Sequence, residues 1–352
     1  MADVNVNDTY DGNYYGVATY RPDMLPLQKD QHDELNRSKL SRSASLRLPW
    51  GSTRDVVPPS LFSSSSPKKL RKLEKREDMA KKIGLQSEND HECLRHAHMA
   101  LRTRFFDMMN VLGKLWFYLV TPISLLAFLM LSPLVRSTGE SWVAFVQGTT
   151  EIELVLFFGG PILWLVSDLA FRLFPRWLLK AGRGPEWEFN RRTGMVKVWQ
   201  YPRKLPLMPR KPPDVIEHPF YEFDAWCCAR VDRHGSLFDL VLSHRYSKLD
   251  VTVGDILGSH GHPNMCYAYW DFIQNYMDVT RPLPDFPLLE KYRDMDPVTA
   301  EHDREAGRPE RYWRDMDMDT FKKKVDRMHT DVTIIDTVSR PNLMEERVRY
   351  AT

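Results

Sequence analysis

Two apolar runs, over residues 111–135 and 154–174, constrain this chain more than anything else in it. A helix needs about 20 mostly apolar residues to cross the hydrocarbon core of a bilayer, and both runs reach that length. Both lie too far from residue 1 to read as a cleaved signal. The pattern predicts a two-span transmembrane hairpin over 111–174 with polar segments on each side.

The flanking charges set an orientation. Arg102, Arg104 and Lys114 precede the first run, and Arg172, Arg176, Lys180 and Arg183 follow the second. The connecting loop carries Arg136 against Glu140, Glu151 and Glu153. Basic residues stay on the cytoplasmic side, so both termini are expected in the cytoplasm of a bacterium, with the hairpin in its inner membrane. Trp116, Phe117, Tyr118 and Trp177 suit the inner interface, and Trp142 and Phe145 the outer one. Pro122 sits inside the first run, and Gly159, Gly160 and Pro161 are expected to interrupt the second. Asp168 is an intramembrane carboxylate, which marks a functional position by default. Arg172 stands four residues on, so a plain ion pair on one helix face is the stronger reading.

With 49 basic against 47 acidic side chains the net charge is +2, which excludes a dedicated nucleic-acid binder. Four cysteines, Cys93, Cys227, Cys228 and Cys266, are too few for a disulfide framework in 352 residues and read as small buried hydrophobes.

Residues 1–66 are rich in Asn, Asp, Ser, Pro and Gly and predict a disordered polar tail. Residues 67–110 read as a basic helical segment. Lys68, Lys69, Arg71 and Lys72 open it, suited to anionic lipid heads or simply to a solvated face. A helix over 92–109, carrying His96 and His98, is expected to run into the first span.

After Gly182 the period turns from helical to alternating. Trp187 and Phe189, then Met195 to Tyr201, predict a β-hairpin turning at Arg191–Gly194. Residues 202–213, rich in Pro, Lys and Arg, read as an extended linker. Phe223, Ala225 and Cys227 predict the core face of a strand, and Phe238, Leu240 and Leu242 a strand returning to it. Val251 to Val253 is one more short strand. Cys266, Trp270, Ile273 and Met277 fall at helical spacing over 264–277. The fold class is therefore α+β, with an antiparallel sheet domain and a packed helix over 183–280. In its order of elements this domain looks like the pleckstrin-homology-like domains of bacterial membrane proteins. Residues 281–352 form a charged helical extension. Asp296–Pro297 starts one helix, 319–328 is another, and Val332 to Ile335 is a candidate edge strand.

No nucleophile elbow, phosphate-cradling glycine loop or helical metalloprotease His pair is present, so no catalytic residue, cofactor or metal-ligand set is assigned. The nearest approach to chemistry is His260, His262 and Cys266, near His244, with Cys227 or Cys228 on a neighbouring strand. Their spacing matches no zinc signature.

The stretches Trp187-Glu188-Phe189-Asn190-Arg191-Arg192-Thr193-Gly194, Phe220-Tyr221-Glu222-Phe223, His234-Gly235 and Trp270-Asp271-Phe272-Ile273-Gln274, with Tyr276-Met277, resemble an uncharacterised family of proteobacterial two-span inner-membrane proteins. The likeness covers about residues 100–330. Genes of that family neighbour type VI secretion components, which implies an accessory, adaptor or immunity role and no catalytic residues. The expected function is a non-enzymatic inner-membrane protein that binds a protein partner, such as a secretion component or effector, or membrane lipid. Its contact surface is expected at Trp187, Arg191, Arg192, Trp199, Arg203, Lys204, Arg210 and Lys211. The alternatives are a membrane-active effector that depolarises a target cell, and a metal-dependent enzyme.

Overall fold

The computed structural model describes residues 14–30, 44–63, 65–74, 88–97, 100–137, 142–179, 184–202, 212–232, 235–253 and 262–350. The chain divides into two compact units. The described residues of one, between 97 and 184, are helical apart from its ends; the other gathers described residues from 14–74, 88–96 and 185–350.

The helical unit contains α3 (Leu101–Leu115), a wider π turn over Trp116–Val120, α4 (Thr121–Ser137), α5 (Trp142–Leu173) and α6 (Pro175–Leu179). The stretches Leu101–Ala127 and Val155–Leu173 are long and apolar enough to cross a membrane, and only 11% of each apolar window is buried. Leu115, Tyr118, Ile123, Leu126, Phe158, Ile162 and Leu165 all face outward. That separates them from core helices of a water-soluble domain, which hide such residues. The π turn has a cause in the sequence. Pro122 has no N–H, and its ring crowds the carbonyl one turn back, so the helix widens just before it. Pro161 leaves α5 helical throughout, contrary to the expected interruption at Gly159–Pro161. α3 and α5 pack where side chains are smallest. A Cβ on Gly113 would lie 2.5 Å from the Trp164 backbone nitrogen, and one on Gly160 would lie 2.8 Å from Trp116 Cβ. Close approach at glycine is how membrane helices gain dispersion contact where no hydrophobic force drives them together. The Trp116 indole donates to the Leu156 carbonyl at 3.0 Å, and Asn110 donates to Ser167 at 3.0 Å.

The second unit is α+β, with two antiparallel sheets. The five-stranded sheet runs β2 (Glu88–Asn89), β3 (Cys93–Ala97), β4 (Pro185–Asn190), β5 (Met195–Gln200), β6 (Asp214–Pro219). The four-stranded sheet runs β1 (Ala44–Arg47), β7 (Phe223–Asp232), β8 (Gly235–His244), β9 (Asp250–Thr252). The expected β4–β5 hairpin is present, with Asn190 opposite Met195. Gly194 has φ +73°, and a Cβ there would meet the Ala18 carbonyl oxygen at 2.0 Å. Only glycine lets the N-terminal segment cross the turn so closely.

β3 is the last strand before the helical unit and β4 the first after it, yet they are neighbours in one sheet. Arg95 on β3 bonds Glu188 on β4 at 2.6 Å. The helical unit is thus an insertion between two paired strands. This replaces the expected helix over 92–109. His96 belongs to β3 and stacks on Trp187 at 5.3 Å, and His98 lies outside the described residues.

The expected disordered tail over 1–66 does not hold for its described parts. β1 pairs with β7, Ala44 opposite Ala229, and Tyr20, Leu48, Trp50, Val57 and Phe62 are buried. Trp50 lies 4.7 Å from Trp270 and 5.0 Å from Phe220, centroid to centroid. These residues share one core with α7 (Asn264–Met277), in which every residue from Cys266 to Met277 is buried. The apolar face read from the sequence is only half of this helix. Asp271, Gln274 and Asn275 on its other side are satisfied by flanking segments. Gln274 accepts from the Gly51 amide at 2.8 Å, Asn275 donates to the Arg54 carbonyl at 2.8 Å, and Arg340 grips Asp271 at 2.6 and 3.0 Å. Burial holds the Asp271 carboxyl above the usual carboxylate range, against the pull of Arg340.

Beyond α7, α8 (Pro297–Glu305) is capped by Asp296 accepting from the Thr299 amide, and α9 (Met318–Thr333) by Asp317. The charged extension therefore holds the expected helices. It also contributes to the core through Trp313, Phe321 and Met344. The edge strand expected at Val332–Ile335 is instead the end of α9 and the residues after it. Of the basic stretch, α2 (Pro67–Glu74) is helical, with Lys68, Lys69, Arg71 and Lys72 exposed and Leu70 buried.

Candidate functional site

The residues expected to make a contact surface divide sharply. Trp187 is 5% exposed, wedged between His96 and Phe189. Arg191 is fully buried and makes five hydrogen bonds. It binds Asp296 at 3.1 and 3.4 Å and the carbonyls of Tyr276, Asp278 and Arg281 at 2.5, 2.8 and 2.7 Å. A guanidinium at the C-terminus of α7 satisfies carbonyls that the helix leaves unpaired. Tyr15 donates to the same Asp296 at 2.7 Å, and burial pushes its phenol up to about 12. Trp187 and Arg191 are therefore corrected to buried residues, and Arg191 fastens the β4–β5 turn to the end of α7. Arg192 is partly exposed and pairs with Glu92 at 3.0 Å. Arg203, Lys204, Arg210 and Lys211 lie outside the described residues.

Trp199 is half-buried at the far end of β5, where the two sheets leave a groove. It encloses about 360 Å³ and is lined by Glu186, Trp199, Gln200, Lys248, Asp250 and Thr252 among others. Its rim is polar, with both signs of charge, and an indole on one wall. That is the composition of a recognition surface with an aromatic anchor.

The hairpin's polar positions resolve simply. Asp168 and Arg172 pair at 2.7 Å on one face of α5, as their spacing predicts. Pro122 follows the wider π turn, and Pro161 is accommodated within an unbroken α5.

All four cysteines are free and buried. Cys227 and Cys266 share a hydrogen bond that, with burial, drives the Cys266 thiol far above its usual range. Such a thiol is an inert core group at neutral pH. His262 is exposed on the loop before α7, with its Nδ1 accepting from the Asn264 amide at 3.3 Å. His260 lies outside the described residues.

A different cluster of metal-ligating side chains does form. His218 on β6, Glu222 in the turn Phe220–Glu222, and His244 at the end of β8 bring three donor atoms within 4.8 Å of one another. Glu222 Oε2 lies 2.9 Å from His244 Nε2 and 4.0 Å from His218 Nδ1. The two rings stack at 3.8 Å. Burial, and then the His244 ring, hold His218 below the usual imidazole range, against the pull of Glu222. Sequence spacing could not show this set. The i, i+4 pair His218 and Glu222 straddles a strand end and a turn, and His244 reaches them through the β7–β8 register, Phe223 opposite His244.

No protein-family model, curated protein or solved structure matches the chain.

Proposed function

We propose that this protein is a non-enzymatic accessory protein of the bacterial inner membrane, in which a two-span hairpin holds an α+β binding domain at the cytoplasmic face. One observation carries the proposal: the helical unit is inserted between β3 and β4, strands of one sheet. A bilayer cannot pass through a hydrogen-bonded sheet, so a spanning hairpin so inserted must return to the side it left. The excess of Lys and Arg beside the outer ends of the spans makes that side the cytoplasm. The layout of antiparallel sheets followed by a helix is in keeping with a pleckstrin-homology-like module. The family resemblance of the Trp187–Gly194 and Trp270–Met277 stretches suggests work beside type VI secretion, as adaptor or immunity protein.

The domain's ligand is a protein segment that seats in the groove beside Trp199, with Lys248 and Asp250 setting charge complementarity. The test is a mild-detergent pull-down from native membranes, comparing the parent chain with Trp199→Ala and Lys248→Glu. Both substitutions sit at the groove's rim and should leave folding intact. Loss of a specific co-purifying protein supports the reading. Retention of the same partner by both variants, or recovery of anionic lipid alone, counts against it.

A further inference from the structure

We infer that His218, Glu222 and His244 form a binding site for a divalent transition metal, with zinc as the fitting ion. The inference stands apart from the groove beside Trp199 and does not depend on it.

The donor set is two imidazole nitrogens and one carboxylate oxygen, the set that leaves zinc a fourth position for solvent or an incoming donor. Imidazole with carboxylate favours zinc and its neighbours over calcium or magnesium, which take oxygen alone. Regular backbone holds each donor. His218 is fixed by the β5–β6 pairing opposite Val196. The Glu222 carbonyl accepts from the Arg245 amide at 3.0 Å, and the His244 amide donates to the Leu249 carbonyl at 2.9 Å. The donors thus come from both sheets, and one ion would tie them together.

The donor distances require shifts in opposite senses, and the His218 ring must turn out of its stack on His244, because an ion lies in the plane of each imidazole that binds it. In a tetrahedral zinc site, ligand atoms stand about 3.3 Å apart. The His244–Glu222 contact, 2.9 Å, must open slightly, and the His218–Glu222 contact, 4.0 Å, must close. His218 and Glu222 are partly exposed, 29% and 26%, so they can turn and an ion can enter. His244 is 2% exposed and cannot. Its other nitrogen, Nδ1, is already oriented by Ser247 Oγ at 2.8 Å. Nδ1 also accepts from the Tyr246 amide at 3.3 Å, so without an ion Nε2 carries the ring proton and donates it to Glu222; an ion bound at Nε2 would shift that proton to Nδ1, where Ser247 Oγ can accept it. A structural His–Glu hydrogen bond accounts for Glu222 and His244. It does not account for His218, whose ring has no hydrogen-bond partner among the described residues while it stacks on His244.

The experiment uses the full chain in detergent, without a polyhistidine tag, stripped with chelator, loaded with zinc sulfate and dialysed. Zinc per chain is then measured by elemental mass spectrometry and affinity by competition with a chromogenic chelator. One zinc per chain is expected, with affinity lowered at least tenfold by His218→Ala and by the near-isosteric Glu222→Gln. His262→Ala, on the exposed loop, should leave zinc unchanged. Substoichiometric zinc in the parent chain, zinc that survives both cluster substitutions, or zinc lost on His262→Ala would each overturn the assignment. Both cluster residues are partly exposed, so folding of the variants, followed by circular dichroism, is expected to persist. Should His218→Ala fail to fold, Glu222→Gln alone decides.

Discussion

The hairpin closes on contacts within one stretch of chain, whereas the sheet domain takes its core from both sides of that stretch. In the hairpin, Gly113 and Gly160 let two helices meet backbone to backbone, and its apolar residues point away from the contact. In the domain, Trp50 from before the insertion packs on Trp270 and Phe220 from after it. The same residue types carry opposite meanings. Exposed Leu and Ile on α3–α5 are what a bilayer solvates, while exposed Trp50 would leave the domain without a centre. An insertion that folds on contacts of its own can be tolerated between paired strands, because β3 and β4 need only its two ends to be near each other.

That difference is open to test, and the largest effect falls on the domain. Trp50→Ala should destabilise the domain by about 3–5 kcal/mol through loss of a buried aromatic contact. Denaturant titration followed by tryptophan fluorescence measures it, and an unchanged midpoint would detach the N-terminal segment from the core. Arg191→Met should cost a similar ~3–5 kcal/mol, because it strands the buried Asp296 carboxylate. Arg192→Met, whose pair with Glu92 is about one-third exposed, should cost under ~1 kcal/mol. Equal losses at both positions would show that Arg191 is no anchor. In the hairpin, Gly113→Leu should drive α3 and α5 apart at a cost of about 1–3 kcal/mol. Cysteine cross-linking between Asn110 and Ser167 positions would report the separation, and unaltered cross-linking would refute glycine-mediated packing. The smallest effect is Asp168→Asn. Arg172 stands at the end of the span and can extend its guanidinium to the interface when its partner is neutralised, so stability should change by less than ~1 kcal/mol. A marked change in membrane conductance would instead favour a depolarising effector.

Legibility followed the range of the interactions. The β4–β5 hairpin was readable because Trp187, Phe189, Val196 and Val198 alternate beside a turn ending in Gly194. α7 was readable because Cys266, Trp270, Ile273 and Met277 recur at helical spacing. The bounds of α8 were readable because Asp296 caps and Pro297 starts. Each is a local signal. The assumption that tryptophan and arginine near a turn face outward failed at Trp187 and Arg191, because burial is set by what crosses over them. Tyr15, Asp296 and the end of α7 supply that cover, from far along the chain. The His218–Glu222–His244 cluster was hidden for the same reason. Two of its members are neighbours in sequence, but the third is placed by strand register.

The sequence by itself determined the two apolar helices, the alternating strands and the packed helix of this protein, because periodicity and turn chemistry act within a few residues. Only the tertiary structure decided that a polar, serine-rich N-terminal segment is core, and that the hairpin interrupts a sheet instead of preceding one. It also decided which polar side of α7 is covered. The physical reason is that α7 presents Asp271, Gln274 and Asn275 on its second face, and buried polar groups need partners. The partners, Gly51, Arg54 and Arg340, lie more than two hundred residues upstream or about seventy downstream, at separations where no local pattern carries information.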